Sequence, residues 1–176
     1  MHSLETAAAQ EQTFRRWMDQ HQGLLFKVIR SHEADPDNQQ DLLQQILVQL
    51  WQSAASYSGQ CKETTWIYRV ALNTACCWVR NARRRRARHE RVAAFAETEA
   101  ASVDPQQLVM ARAQLEQLYA GIRQLQHADA SLIIMHLDGL AYRDIGEVLG
   151  LSETNVGAKL SRARKQLAQI IGDYEQ

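Results

Sequence analysis

With 176 residues, 45% hydrophobic and 23% charged at a formal net charge of zero, the sequence has a globular composition for one ordinary domain or two small ones, which excludes a disordered tail. No uninterrupted apolar run approaches the roughly 20 residues of a membrane span. The opening "MHSLETAAAQEQTFRRW" lacks the basic start and apolar stretch of an export signal, so a cytoplasmic protein without direct membrane insertion is expected.

Only two prolines and no convincing alternating strand leave an all-α reading. The first proline follows an aspartate: Asp35-Pro36 places an N-capping side chain before a residue whose missing N–H costs nothing in a first helical turn. From Gln39 to Gln52, "QQDLLQQILVQLWQ" repeats Leu43, Ile46, Leu47, Leu50 and Trp51 every three or four residues, the mark of one buried helix face. The other face, with Gln40, Asp41, Gln44, Gln45 and Gln52, is polar but almost uncharged. It suits simple solvent exposure, or a docking surface with low desolvation cost.

After a break at "SYSGQCKE", a second long helix is expected from about Thr64, with Ile67, Val70, Ala71, Thr74 and Trp78 on its apolar side. It runs into "RNARRRRARHER", seven arginines in twelve residues. Residues 61–91 carry a net charge of +7, while 1–60, 92–129 and 130–176 carry −3, −3 and −1. A helix C-terminus gains from one or two cations, not seven, so contact with phosphates accounts better for the excess. Just upstream, "CKETTWIYRVALN" mixes hydroxyls, aromatics, cations and an amide. Trp66 there can stack on an unpaired base or simply start the helix as a core residue.

Between residues 89 and 103 the chain is small, acidic and weakly periodic, a linker between two helical units. Asp104-Pro105 opens the next helix, with Gln107 completing a capping-box pattern. In "LAYRDIGEVLGLSETNVGAKLSRARKQL", Ala141, Ile145, Val148 and Leu149 mark a short helix and Gly150 a tight turn. Ser152 then caps a helix with Val156, Leu160, Ala163 and Leu167 inward. This is a helix-turn-helix whose second helix presents Thr154, Asn155, Gly157, Ala158, Lys159, Ser161, Arg162 and Lys165, small enough to enter a major groove and basic enough to hold its rims. The three cysteines, Cys61, Cys76 and Cys77, and the scattered histidines show no metal-ligand spacing, and no phosphate-binding glycine loop is present. Neither a metal nor another cofactor is expected, and the chain is not expected to be an enzyme.

Taken together, "DLLQQILVQLW", "ETTWIYRVALNTACCWVRNARRRR" and "HLDGLAYRDIGEVLGLSETNVGAKLSRARKQL" resemble, in this order, the polymerase-binding helix, the promoter-melting and recognition helix and the promoter-reading unit of the sigma-70 family of RNA polymerase sigma factors, in its extracytoplasmic-function (ECF) group. The resemblance covers the chain from about Phe14 to Ile171. It implies an N-terminal helical bundle over 10–88, a linker over 89–106 and a C-terminal helix-turn-helix domain over 107–174. It also implies an alternative sigma factor that brings core RNA polymerase to promoter DNA under the control of an anti-sigma factor, often membrane-anchored.

Carried over to this chain, the resemblance puts Asp41, Leu42, Gln44, Gln45, Val48 and Gln49 at the core polymerase. Lys62, Thr64, Thr65 and Trp66 would help melt the minus-10 element, and Tyr68, Arg69, Asn73 and Arg80 would contact it, with Arg83, Arg84, Arg85 and Arg86 on neighbouring phosphates. Ser152, Thr154, Asn155, Lys159, Arg162 and Lys165 would meet the minus-35 element. The acidic linker residues Glu97, Glu99 and Asp104 would mimic nucleic acid in the polymerase channel. The sequence departs from the family pattern at Gln45, usually a glutamate, at "CKETTW", which lacks the aromatic before Trp66, at Gly146, commonly alanine, and at Gly157, commonly lysine. Melting would then rest more on Trp66, and minus-35 contacts would be fewer or placed differently. The other readings are a stand-alone helix-turn-helix regulator, which would bind DNA without polymerase, and a helical adaptor, which would tolerate loss of the arginines.

Overall fold

Both prolines open helices. Pro36 follows Asp35, whose carboxylate accepts the backbone N–H of Asp37 at 2.9 Å and of Asn38 at 3.1 Å, satisfying donors that an isolated first turn leaves bare. Pro105 is the first residue of the fourth helix. The computed structural model describes the backbone of residues 2–86 and 105–173 and the side chains of 7–81 and 111–172. The expected linker residues 89–104, with Glu97, Glu99 and the capping Asp104, lie outside the described residues.

The described residues form seven helices and no strand: α1 (His2–His32), α2 (Pro36–Ala54), α3 (Glu63–Arg86), α4 (Pro105–Gln124), α5 (His127–Leu137), α6 (Tyr142–Leu149) and α7 (Glu153–Asp173). The all-α expectation holds. The first helix begins at His2, before the residue 10 at which the N-terminal unit was expected to start, and its core residues Phe14, Trp17, Leu25, Val28 and Ile29 recur at helical spacing.

Helices α1, α2 and α3 pack on one another around Trp17, Leu25, Ile46, Leu50, Ile67 and Ala71. Helices α4 to α7 close around Ile122, Leu132, Met135, Ile145, Val156 and Leu160. Each fully buried Leu or Ile contributes about 1.5–3 kcal/mol, so both groups have a core of their own. The groups also pack together, α1 against α4 and α5 and α3 against α6, so that one apolar core runs through both.

Three packing expectations need correction. On α2 the buried stripe is Leu42, Ile46, Leu50 and Ala54; Leu43 and Leu47 flank it, and Trp51 stands 39% exposed, edge-on to Phe14 at 5.4 Å. Both stripes fit a 3.6-residue repeat, and the position of α1 and α3 selects between them. On α3 the buried side is Thr65, Ile67, Tyr68, Ala71, Leu72, Ala75 and Trp78, leaving Val70 and Thr74 half-buried. Leu42, Thr65 and Tyr68, expected at a macromolecular surface, are thus core residues.

Candidate nucleic-acid interface

The exposed side of α2 carries Asp41, Gln44, Gln45, Val48 and Gln49, which fits both plain solvent exposure and docking. They line an open groove of about 860 Å³ whose other wall is Asn73, Thr74, Cys77 and Asn81 of α3. The groove is rich in neutral amides, so a partner helix laid along it desolvates few charges. Leu42 points the other way, with no exposed surface, and can act on this face only by holding the helix in place.

At the start of α3 the melting residues separate. Lys62 is exposed, Thr64 and Trp66 are half-buried, and Thr65 is fully buried with no hydrogen-bond partner for its hydroxyl among the described residues. Trp66 is fixed by two contacts: its Nε1 donates to Ser53 Oγ at 3.2 Å, and Tyr57 meets it edge-on at 5.5 Å. Tyr57 in turn meets Trp17 at 5.4 Å and donates to the Cys61 carbonyl at 2.8 Å. The indole is therefore held in place by its neighbours while the residue as a whole stays half-buried.

Further along α3, the C-terminal helices lie on the side chains expected to touch DNA. Lys62 Nζ pairs with Asp144 Oδ2 at 2.6 Å, and Arg69 Nη2 donates to the Glu147 carbonyl at 2.9 Å. The Tyr68 hydroxyl donates to Asp138 Oδ2 at 2.7 Å, while Lys27 of α1 pairs with the other oxygen of the same carboxylate. Burial, reinforced by the Asp138 hydrogen bond and charge, pushes the Tyr68 hydroxyl far above the usual tyrosine range, so it stays a proton donor. Asn73 and Arg80 remain exposed, Arg80 lying 3.0 Å from Cys77 Sγ. Arg83, Arg84, Arg85 and Arg86 continue α3, and their side chains lie outside the described residues.

Sequence reasoning singled out none of Asp138, Asp144 and Glu147. The available signal was weak: Asp144 sits in the first turn of α6, where an acid normally reads as a partner for the helix dipole. Its 5% exposure beside an apolar neighbour shows that its role is tertiary.

The helix-turn-helix is built as expected. Gly150 adopts φ +68°, the left-handed conformation that ends α6, and the Leu151 N–H returns to the Gly146 carbonyl at 3.0 Å. Ser152 Oγ accepts the Asn155 N–H at 3.3 Å and starts α7. Thr154, Asn155, Arg162 and Lys165 are exposed and Lys159 is half-buried, on one open face. At Gly146 the turn comes close: a Cβ would stand 2.5 Å from the Leu151 carbonyl oxygen, so glycine's low helix propensity is offset here by room for the turn. A Cβ at Gly157 would meet the Tyr142 ring at an ordinary 3.5 Å.

Among the described residues, no three His, Cys, Asp or Glu are placed to hold a metal ion, and no helix is long and apolar enough to cross a membrane. The cysteines are unpaired, and burial pushes the Cys76 thiol up, away from thiolate reactivity.

Comparison with known proteins follows the same division of the chain. Residues 17–85 match the family model for Sigma-70 region 2, and residues 115–167 match that for Sigma-70, region 4. The ECF RNA polymerase sigma-E factor of Haemophilus influenzae is 26% identical over 163 residues, covering 89% of this chain and 84% of that protein. The ECF RNA polymerase sigma factor SigX of Bacillus subtilis is 23% identical over the same length, covering 89% and 82%. Among solved structures, CnrH in complex with the cytosolic domain of CnrY superposes with a TM-score of 0.67 at 19% identity, covering 97% of this chain and 94% of that one. The sigma factor RpoE of Bartonella quintana, in complex with the anti-sigma factor NepR, gives 0.59 at 20% identity, covering 88% and 98%. With both sigma regions in order along one chain and relatives of this kind over most of its length, the protein belongs to the sigma-70 family of RNA polymerase sigma factors, in its ECF group.

Proposed function

We infer that this chain is an alternative sigma factor that binds core RNA polymerase and directs promoter-specific transcription initiation. The observation that carries the reading is the presence, in one chain and in this order, of region 2 with its exposed amide groove and region 4 with its open recognition helix. Neither a solitary helix-turn-helix nor an adaptor needs both.

In this reading residues 10–88 bind polymerase and open the minus-10 element, 89–106 connect, and 107–174 read the minus-35 element. Asp41, Gln44, Gln45, Val48 and Gln49 form the polymerase contact. Trp66, half-buried, offers its ring to an unpaired base, Lys62, Arg69, Asn73 and Arg80 hold the strand, and the arginines from 83 to 86 meet phosphates. Thr154, Asn155, Lys159, Arg162 and Lys165 enter the major groove from α7. The chain selects the promoter and leaves RNA synthesis to the polymerase, so it is not itself an enzyme, and it works in the cytoplasm. Of the two similar solved structures, CnrH is bound to the cytosolic domain of CnrY and RpoE to the anti-sigma factor NepR, and the second supports an anti-sigma factor as a further partner here.

The test is retention of bacterial core RNA polymerase by the immobilised protein, wild type against a variant carrying Asp41→Arg, Gln44→Ala and Gln45→Arg. Retention by the wild type and its loss in the variant are expected. If neither form retains polymerase while the wild type binds duplex DNA alone, the stand-alone regulator replaces the sigma reading.

A further inference from the structure

We propose that the cavity where the α4–α5 turn meets the end of α1 is a binding site for a phosphate monoester, the chemistry shared by inorganic phosphate and small phosphorylated metabolites, held by Arg123, His32 and the start of α5. None of the residues assigned to polymerase or promoter lines this cavity, so the site stands apart from those contacts.

The cavity measures about 590 Å³, within the range of sites that take small organic ligands. Val79 of α3 and Ile122 of α4 give it an apolar side, and its polar groups converge from α1, α4 and the first turn of α5. His32 supplies the group that lacks a partner. The residue is 9% exposed, and its Nδ1 edge is turned to its own helix, 2.9 Å from both the Val28 carbonyl and Ser31 Oγ. The opposite edge therefore faces away from α1, where the ring lines the cavity, and Nε2 is buried with no hydrogen-bond partner among the described residues. A buried polar nitrogen in this state calls for one. Helix α5 has 11 residues, and its N-cap Gln126 makes no side-chain capping bond. Its first turn thus brings the positive end of the helix dipole to the wall formed by Gln126, His127 and Ala128. Arg123 adds a fixed charge; it gives one N–H to the Arg30 carbonyl at 2.8 Å, and a guanidinium has further donors. The carboxylate on the wall, Glu33, is already held, Oε1 by the Ala34 and Asp35 N–H groups and Oε2 by Trp78 Nε1. Asp129, in the first turn of α5, does not line the cavity. The unpartnered imidazole nitrogen selects the class of anion. With its second pKa at about 6, a phosphate monoester offers both an O–H donor and charged acceptors near neutrality, and so completes Nε2 whichever ring nitrogen carries the proton. A phosphodiester, such as the DNA backbone, brings acceptors alone and cannot satisfy Nε2 where that nitrogen is itself the acceptor.

The experiment titrates the full isotope-labelled chain with inorganic phosphate, at an ionic strength held constant with chloride, and follows the backbone amides by NMR. Saturable shifts of the Gln126, His127 and Ala128 amides are expected. Loss of one charge-assisted hydrogen bond in Arg123→Gln should weaken binding about tenfold. Arg112→Gln, which removes an exposed cation of the same helix outside the cavity, should leave it unchanged. Shifts that do not saturate, undiminished affinity in Arg123→Gln or an equal loss in both variants overturn the site. Because Arg123 also holds the Arg30 carbonyl, His32→Leu gives a second reading: it removes Nε2 but keeps a buried apolar side chain. It should weaken phosphate by about the same factor, and wild-type affinity there removes His32 and the proposal with it. A parallel titration with dimethyl phosphate separates the two phosphate chemistries. Weaker binding than that of inorganic phosphate is expected, and equal binding overturns the monoester assignment in favour of a diester backbone.

Discussion

Leu42 and Val48 lie on the same helix, and family resemblance places both at the polymerase, yet truncating them should have opposite consequences. Leu42 has no exposed surface and packs in the core with Ile46 and Leu50, whereas Val48 is 51% exposed on the groove. Leu42→Ala removes buried carbons and leaves a partly relaxed cavity, at a cost of about 2–5 kcal/mol. Val48→Ala strips a methyl pair from solvent on a helix that favours alanine, so its stability should stay within about 0.5 kcal/mol of wild type. Urea unfolding followed by circular dichroism measures both; at a slope of about 2 kcal/mol per molar, the Leu42→Ala midpoint falls by about 1 M or more. Polymerase retention, measured at a temperature where both variants are folded, should be normal for Leu42→Ala and reduced for Val48→Ala. A Leu42→Ala protein that keeps wild-type stability but loses polymerase would refute the packing assigned to α2.

Protonation offers a second prediction. The His32 Nδ1 lies 2.9 Å from both the Val28 carbonyl and Ser31 Oγ, while Nε2 is buried without a hydrogen-bond partner among the described residues and His127 stacks 6.0 Å away. Burial lowers the His32 pKa from its ordinary 6.5, the Val28 hydrogen bond opposes this, and the charge of His127 adds to the lowering. The unfolded chain therefore takes up a proton below pH 6.5 that the folded chain refuses, and stability is full above that value and falls as pH drops toward the folded pKa, by at most about 1.4 kcal/mol per pH unit. Urea midpoints at a series of pH values should fall less steeply for His32→Gln, and identical slopes would count against this assignment. The glycines supply a third prediction. Gly157→Ala meets only ordinary contact with Tyr142 and should gain up to about 1 kcal/mol in helix propensity, whereas Gly146→Ala must first displace the Leu151 carbonyl and should come out less stable than Gly157→Ala in thermal unfolding.

Much of the fold was legible because the signals are local. A capping aspartate before proline, a glycine in the left-handed turn and a serine three residues before a free N–H act within a few residues of themselves, so the start of α2 and the α6–α7 unit could be read from the sequence. The open face of α7 was legible for the same reason: its apolar residues at 156, 160, 163 and 167 leave the opposite side polar whatever packs behind them. The charge excess of residues 61–91 likewise pointed to a polyanion partner without any knowledge of shape.

The sequence by itself determined the all-helical class and the order of the two family regions, and it showed where the basic and polar side chains proposed to hold DNA are concentrated, since each depends on residue type and short-range spacing. Only the tertiary structure decided which of two overlapping stripes on α2 is buried, that Thr65 and Tyr68 turn inward, and that Asp138 and Asp144 reach Tyr68 and Lys62. These last pairs are separated by 70 and 82 residues, and helical periodicity fixes which residues share a face but not which distant face will meet it.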